Sequence, residues 1–396
     1  MERITYVYAF IVTFIIVLSV VSIYLMFSSN SVKVGPFDSL KDSGNSEIVL
    51  GECNSVMYSG EEAVNLVFFS AKEAAQEYSD FLLETKPFNN YPSKFNVFTI
   101  SDYEPECEYY KGIAILCYSK ELVRKASSCP NDYIIVLKEE NSYLRSSAYL
   151  GVMSLNTNHP LTVFLHEFGH TFANFAEEYL VEGGKIPRGS ENCVEECEDF
   201  GGIEDGCFKE CTTGTHYRSI DEGVMRTLSS SSYGLFNEYL LTKKIDESVE
   251  DATLWYDKVG KSSKVTLNAI ALENVEITCS EKEHILVGVR NGKKVSEEKV
   301  NGCANNGGAG DYSVNLKLKD GQTIEREINP VNIWIDGPEG EGEEENGAFE
   351  IEDTTYYIGI PVSEKIVGAD VVNSDGKIEF SIEDPNKFLR LPCLVE

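Results

Sequence analysis

The sequence predicts an α/β domain, in which a mixed sheet supports a helix carrying the candidate site. An N-terminal transmembrane helix precedes it, and a β-rich, sandwich-like C-terminal region follows. Three observations predict this arrangement. Strand-like and helix-like segments alternate between residues 63 and 155, and beyond about residue 262 short alternating apolar segments with turn signals take over. Between them, the helix-patterned stretch FLHEFGHTFANFAEEYL at 164–180 holds two of the chain's five histidines, four residues apart. With 396 residues, 42% hydrophobic and 11% aromatic, the chain has the material for a substantial core.

Taken in order, the elements divide into an anchor and tether at 1–35, a region carrying the candidate site at 36–255 and a β-rich region at 256–396. No charged residue interrupts Ile4 to Phe27. As a helix this stretch reaches about 36 Å, against a hydrocarbon core of about 30 Å, so it can cross a bilayer. A cleaved signal peptide is the rival, but its apolar part usually spans about 7–15 residues and ends at small residues. Here the longer run ends in YLMFSSNS, which favours an uncleaved single-pass anchor over secretion after cleavage. SSNSVKVGPFDSLKDSGNS, at 28–46, reads as a tether.

Folding signals begin with AVNLVFFS (63–70) as a strand, then AKEAAQEYSDFLLETKPF (71–88) with helical periodicity, then KFNVFTI (94–100) and DYIIVLKE (132–139) as strands. AYLGVMSL (148–155) reads as one further strand. Pro160 suits the first position of the next helix, with Asn158 or His159 as its cap. YGLFNEYLLTKKI (233–245) is a second amphipathic helix. In the C-terminal region KVTLNAIAL, NVEITCS, HILVGV and YSVNLKLKDGQTIEREI read as strands, GPEGEGEEENG (337–347) as a solvated acidic linker, and VVNSDGKIEFSI (371–382) as a hairpin.

Histidines four apart on a helix project from one face and can bind one metal ion at about 2.0–2.1 Å each. His166 and His170 are therefore candidate Zn2+ ligands. Glu167 sits one step round, where it suits a general base for hydrolysis. The plain alternative is an amphipathic helix that happens to carry these residues. Yet the trio is set among Leu161, Val163, Phe164, Leu165, Phe168, Phe172 and Phe175. Burying ionisable groups there is costly without a compensating partner, and a metal supplies one.

A catalytic site needs a third protein ligand. At about 100° per residue Glu177 returns to within about 20° of the His166 face, whereas Glu178 lies near 120°. A straight helix would leave Glu177 about 10 Å beyond His170, so its ligation requires the chain to turn near Asn174. Glu177 is the choice; Glu178, His216 and Glu238 are the competitors.

HEFGHTFANFAEEY, the downstream YRSIDEGVMRT and the upstream NLVFFSAKEAAQEYSDFLLETKPFNNYPSKFNVFTI together resemble the IgA-peptidase family of zinc metallopeptidases, which is metzincin-like. The resemblance covers about residues 60–245. It implies a zincin-type catalytic domain of mixed sheet plus active-site helix, acting as an extracytoplasmic endopeptidase on protein or peptide substrates. Zinc would lie on His166 and His170 with Glu167 as base, and Met225 would be the methionine of a turn forming an apolar floor beneath the metal. Glu177 departs from the family, which usually has Asp there. The strand at 148–155 would hold an extended substrate by β-addition.

Eleven cysteines suit an oxidising compartment and place the bulk of the chain outside the cytoplasm, on the far side of its membrane. Cys193 and Cys197 are spaced i, i+4, as are Cys207 and Cys211. On a short helical hairpin this spacing allows nested bridges, Cys193–Cys211 and Cys197–Cys207; a four-thiolate zinc site is the alternative. Such a hairpin, lying in sequence between the motif and Met225, is placed to border the cleft. Cys279 and Cys303 are a candidate clip for the β-rich region. A net charge of −31 excludes nucleic acid as a partner. Two functions from different classes remain: a membrane-anchored metallopeptidase, or a cell-surface binding or adhesion protein that keeps an inactive or structural zinc site.

Overall fold

A computed structural model of the chain describes residues 53–181, 183–259, 265–266, 276–277, 283–304, 312–328, 332–336, 347–350, 354–373 and 375–385. The expected membrane span at 4–27, the tether and the acidic stretch up to residue 346 lie outside these residues. Among the described residues no helix is long and apolar enough to cross a membrane.

The first half of the folded chain builds an α/β layer. Strand β1 (Asn54–Met57) leads into β2 (Val64–Phe69), helix α1 (Lys72–Glu84) and β3 (Phe95–Ile100). A hairpin of β4 (Glu108–Tyr110) and β5 (Ala114–Leu116), closed by Cys107–Cys117, precedes α2 (Lys120–Ala126) and β6 (Tyr133–Lys138). The Ser119 hydroxyl caps α2 by accepting from the Leu122 N–H at 3.1 Å. β2 pairs in parallel with both β3 and β6. Strands covered on both faces need apolar side chains at successive positions, which is why VNLVFF and YIIV are continuous runs.

The segment expected as one strand at 148–155 is instead a hairpin of β7 (Ser146–Tyr149) and β8 (Val152–Asn156). Leu150 and Gly151 form its turn, both with positive φ (50° and 77°), which is the backbone that a two-residue hairpin requires. β8 runs parallel to β6 and delivers the chain to α3 (Thr162–Ala173). That helix begins two residues later than Pro160. Neither Asn158 nor His159 caps it; Leu161 holds the cap position without a side-chain hydrogen bond, and the Val163 N–H reaches the Pro160 carbonyl.

After α3 come the two-stranded β9 (Phe208–Cys211) and β10 (Thr213–Arg218), then α4 (Leu235–Val259) and the short β11 (Val265–Thr266) and β12 (Glu276–Ile277). The β-rich region consists of β13 (Glu283–Arg290), β14 (Lys293–Asn301), β15 (Tyr312–Leu318), β16 (Thr323–Ile328), β17 (Asn332–Asp336), β18 (Gly347–Glu350), β19 (Tyr356–Pro361), β20 (Ile366–Val372) and β21 (Ile378–Glu383). Two antiparallel sheets arise from it, ordered β14-β13-β19 and β16-β15-β20-β21. Their buried residues, such as Ile285, Val287, Leu316 and Ile366, share one core.

This core crosses the division expected near residue 255, since Val67, Ile134, Val136 and Tyr149 of the α/β layer belong to it. The main sheet crosses it as well: its order is β1-β3-β2-β6-β8-β7-β17-β18, so two strands from the C-terminal region extend the edge at β7. That edge is therefore not open for β-addition as expected.

On the other face of the sheet, Phe164, Phe168 and Phe172 form one stripe of α3 and pack against Phe68, Tyr78, Phe88, Phe95 and Tyr133. This stripe fixes the helix on the sheet. Phe168 is fully buried and stacks on Phe172 at 5.0 Å between centroids. Phe168→Ala is expected to lower stability by about 3–5 kcal/mol through lost burial and the cavity left behind, measured by chemical denaturation.

Candidate metal centre

Helix α3 is buried on every side from Val163 to Phe172. Its phenylalanines take the sheet face, so the histidines project roughly to the opposite side, toward the segment that follows the helix. The chain reverses where the expected turn was placed: Asn174 adopts the left-handed conformation (φ 52°) as C-cap. Its N–H bonds to the His170 carbonyl at 3.0 Å and the Phe175 N–H to that of Gly169 at 3.2 Å. This reversal returns Glu177 to the histidines.

His166, His170 and Glu177 then form a buried group that can hold a metal ion, their ligating atoms within 4.8 Å of one another. The two Nε2 atoms are 2.8 Å apart. Glu177 Oε2 lies 3.2 Å from His166 Nε2, and Oε1 lies 3.3 Å from His170 Nε2. A tetrahedral ion with bonds of about 2.0–2.1 Å spaces its ligands roughly 3.3 Å apart, so the carboxylate already stands at ligand spacing and the two nitrogens slightly inside it. Glu178, His216 and Glu238 are not in the group. His216 sits on β10 with Nδ1 2.7 Å from the Thr213 hydroxyl, and Glu238 lies in the first turn of α4.

The hydrogen bonds behind the ligands set their chemistry. His166 Nδ1 faces the Val224 carbonyl at 2.8 Å and His170 Nδ1 the Phe175 carbonyl at 2.6 Å. A carbonyl can only accept, so each Nδ1 carries the proton and each Nε2 presents a lone pair. Two such nitrogens and two carboxylate oxygens thus converge without a hydrogen between them. Only a cation or an added proton relieves that repulsion, and the donor set of two imidazoles and a carboxylate suits a divalent transition ion. Burial acts to raise the Glu177 pKa, but an added proton on the facing imidazoles outweighs it and holds the carboxyl below its ordinary range.

Backbone from the Met225 segment supports the ligands from outside. Val224 and Met225 lie in a turn closed by the Arg226 and Thr227 N–H groups, both bonding to the Gly223 carbonyl at 2.9 Å. The Val224 carbonyl takes the His166 proton, while the Met225 carbonyl accepts from the Glu178 N–H at 2.9 Å. Met225 is fully buried against the helix; a methyl group added at Gly169 would lie 2.6 Å from its Sδ. Gly169 is thus the opening in α3 that admits the methionine.

The cysteine segment supports the third ligand. Cys193–Cys211 and Cys197–Cys207 are both present as nested bridges. They do not sit on a helical hairpin: Cys197 opens a single 3-10 turn and Cys211 ends β9, because Gly201, Gly202 and Gly206 break any helix between the pairs. Just before the bridged loop, Asn192 receives the Ala176 N–H at 2.7 Å and returns a bond to the Ala176 carbonyl at 2.9 Å. The Thr212 hydroxyl donates to the Glu177 carbonyl at 2.7 Å. The residues on either side of the outer bridge therefore grip the backbone at Ala176 and Glu177.

Four residues near the group carried no local signal: Asn192, Thr212, Asn237 and Trp334. Asn237 donates to Glu178 Oε1 at 2.7 Å. Trp334, one of two tryptophans in the chain, stacks on the His170 ring at 4.0 Å between centroids and 11° between planes. Glu167 is fully buried beside His166, and His166, His170 and Glu177 are 1%, 2% and 1% exposed.

No protein-family model matches this chain, and no curated protein matches it. Among the described residues disulfides join Cys53–Cys129, Cys107–Cys117, Cys193–Cys211 and Cys197–Cys207, which suits an extracytoplasmic compartment. Cys303 is also disulfide-bonded.

Two predictions follow from the supporting shell. Asn192→Ala, which removes no ligand, is expected to weaken metal affinity about 10- to 100-fold in a competitive chelator titration. The second concerns Glu178, whose pKa burial raises from 4.5 to about 7, against opposing hydrogen bonds from Asn237 and Asn192. The folded, metal-free chain holds this proton more tightly than the unfolded chain. Its contribution is complete below about pH 4.5 and is lost as the pH rises through 7. Glu178→Gln should flatten that slope and stabilise the metal-free chain at pH 8 by up to about 3 kcal/mol, read by denaturation at several pH values.

Proposed function

We propose that the chain is a membrane-anchored, extracytoplasmic zinc metallopeptidase. The observation that carries this reading is the convergence of the His166, His170 and Glu177 lone pairs beside a buried Glu167 on the same helix. The resemblance of the motif, the Met225 segment and the upstream stretch to the IgA-peptidase family points the same way, and anchoring is assigned to residues 4–27. Protein or peptide segments are the substrates.

A zinc ion held by His166, His170 and Glu177 supplies Lewis acidity toward a water and a peptide carbonyl. The chain's own residues do the rest. Bonds from Nδ1 to the Val224 and Phe175 carbonyls lock both imidazoles with Nε2 toward the group. Glu167, free of ligation duty, takes the proton from the attacking water and returns it to the leaving amine nitrogen. Met225 fills the space against Gly169 and keeps solvent from the back of the helix.

The near-complete burial of the site favours a second reading, a cell-surface binding protein whose metal is structural and closed to substrate. The two differ in one experiment on the full-length, detergent-solubilised chain. The peptidase reading expects one zinc per chain in wild type and in Glu167→Gln, with casein hydrolysis at least about 100-fold slower in the variant. Equal zinc with no cleavage by either chain, or by a wild-type chain whose residues 332–336 are replaced by Gly-Ser-Gly-Ser-Gly, supports the structural metal instead, and unchanged cleavage by Glu167→Gln removes the proposed base.

A further inference from the structure

The edge of the sheet beside the metal group is occupied by the chain itself. β7 is the last strand supplied by residues 54–156, and it stands next to α3. An extended peptide joining the sheet near the metal would pair with it. β17 holds that place, antiparallel, with Ile333 opposite Tyr149, Trp334 opposite Ala148, Ile335 opposite Ser147 and Asp336 opposite Ser146.

Alternation along β17 divides its side chains between two faces. Ile333 and Ile335 enter the core shared with the β-rich region, whereas Trp334 enters the core that contains Met225, Phe168 and Phe172. There it lies flat on the imidazole of His170 and is 4% exposed. At the same time Glu167 is 0% exposed and the three metal-group residues 1–2%. A hydrolase must admit a peptide backbone to these atoms, and an exposure of 0–2% leaves no surface for one.

We propose that β17 is a self-bound inhibitory strand: it occupies the peptide-binding edge of the site, and Trp334 covers the metal group until β17 leaves β7. The proposal rests on the metallopeptidase reading for its functional meaning, although strand occupancy can be tested apart from catalysis. The occupant also describes what displaces it. The competitor is an extended segment with a large aromatic or aliphatic side chain opposite Ala148, between two further apolar residues, as in Ile333-Trp334-Ile335.

Two full-length variants test it. In the first, residues 332–336 are replaced by Gly-Ser-Gly-Ser-Gly. In the second, Ser147→Cys with Ile335→Cys ties β17 to β7 on the face away from the metal group, with Ser147→Cys alone as control. The readouts are the rate at which a chelator strips zinc, the binding of acetohydroxamate to the zinc form, and casein hydrolysis. The strand-replaced chain should lose zinc and bind acetohydroxamate at least ten times faster than wild type, and added peptide NIWID should slow both. The tied chain should be slower than its control.

Equal stripping and acetohydroxamate binding in the tied and strand-replaced chains would overturn the proposal, as would casein cleavage by wild type at the strand-replaced rate. Faster access without casein cleavage in any variant would support the covering strand while removing the peptidase reading. Should the strand-replaced chain fail to fold, the comparison of the tied chain with its control decides alone.

Discussion

The structure depends on a single electrostatic constraint, the gathering of four lone-pair atoms in a deeply buried place. Two imidazole nitrogens and two carboxylate oxygens repel one another unless a cation lies among them. Everything around α3 serves to keep them together. Three phenylalanines bind one face of the helix to the sheet, so the histidines are committed to the other. A left-handed asparagine then reverses the chain within one residue, and Glu177 returns to meet them.

Holding a ligand by its backbone is a different problem from supplying it, and the protein solves it with segments far apart in sequence. The turn around Met225 offers consecutive carbonyls, one to the His166 ring and one to the Glu178 N–H. Thus a single turn positions the first ligand and the neighbour of the third. Asn192 and Thr212, the residues that flank the disulfide-bridged loop, grip Ala176 and Glu177. The bridges are consequently part of the site's support as well as staples of an irregular loop. Holding the rings through Nδ1 and Glu177 through its backbone leaves the Nε2 and carboxylate oxygen atoms of the group directed inward.

The C-terminal region is not an appendage to this arrangement. It shares a core with the sheet and contributes β17 and β18 to the sheet's edge, and it places an aromatic ring on a metal-group histidine. Strands with unpaired edges are exposed to unwanted pairing, and covering the edge with the chain's own segment is one remedy. Here the covered edge is the one beside the metal group, which couples the remedy to access.

The sequence by itself determined the metal group. Ligand spacing on a helix is a local property, which pairs His166 with His170; Glu177 joins them beyond the end of the helix at Ala173, through the left-handed turn at Asn174 and not through the helical angle. It also determined the central strands, because a run such as VNLVFF can be satisfied only by burial on both sides, and the nested order of four cysteines. Tertiary structure decided what depends on partners distant in the chain. The break of 148–155 into a hairpin hangs on two positive φ angles at Leu150 and Gly151, which apolar periodicity does not register. The roles of Asn192, Thr212 and Trp334 exist only where remote segments meet. Pairing of β17 with β7 and stacking of Trp334 on His170 follow from packing between segments more than 160 residues apart, and no local spacing encodes such a contact.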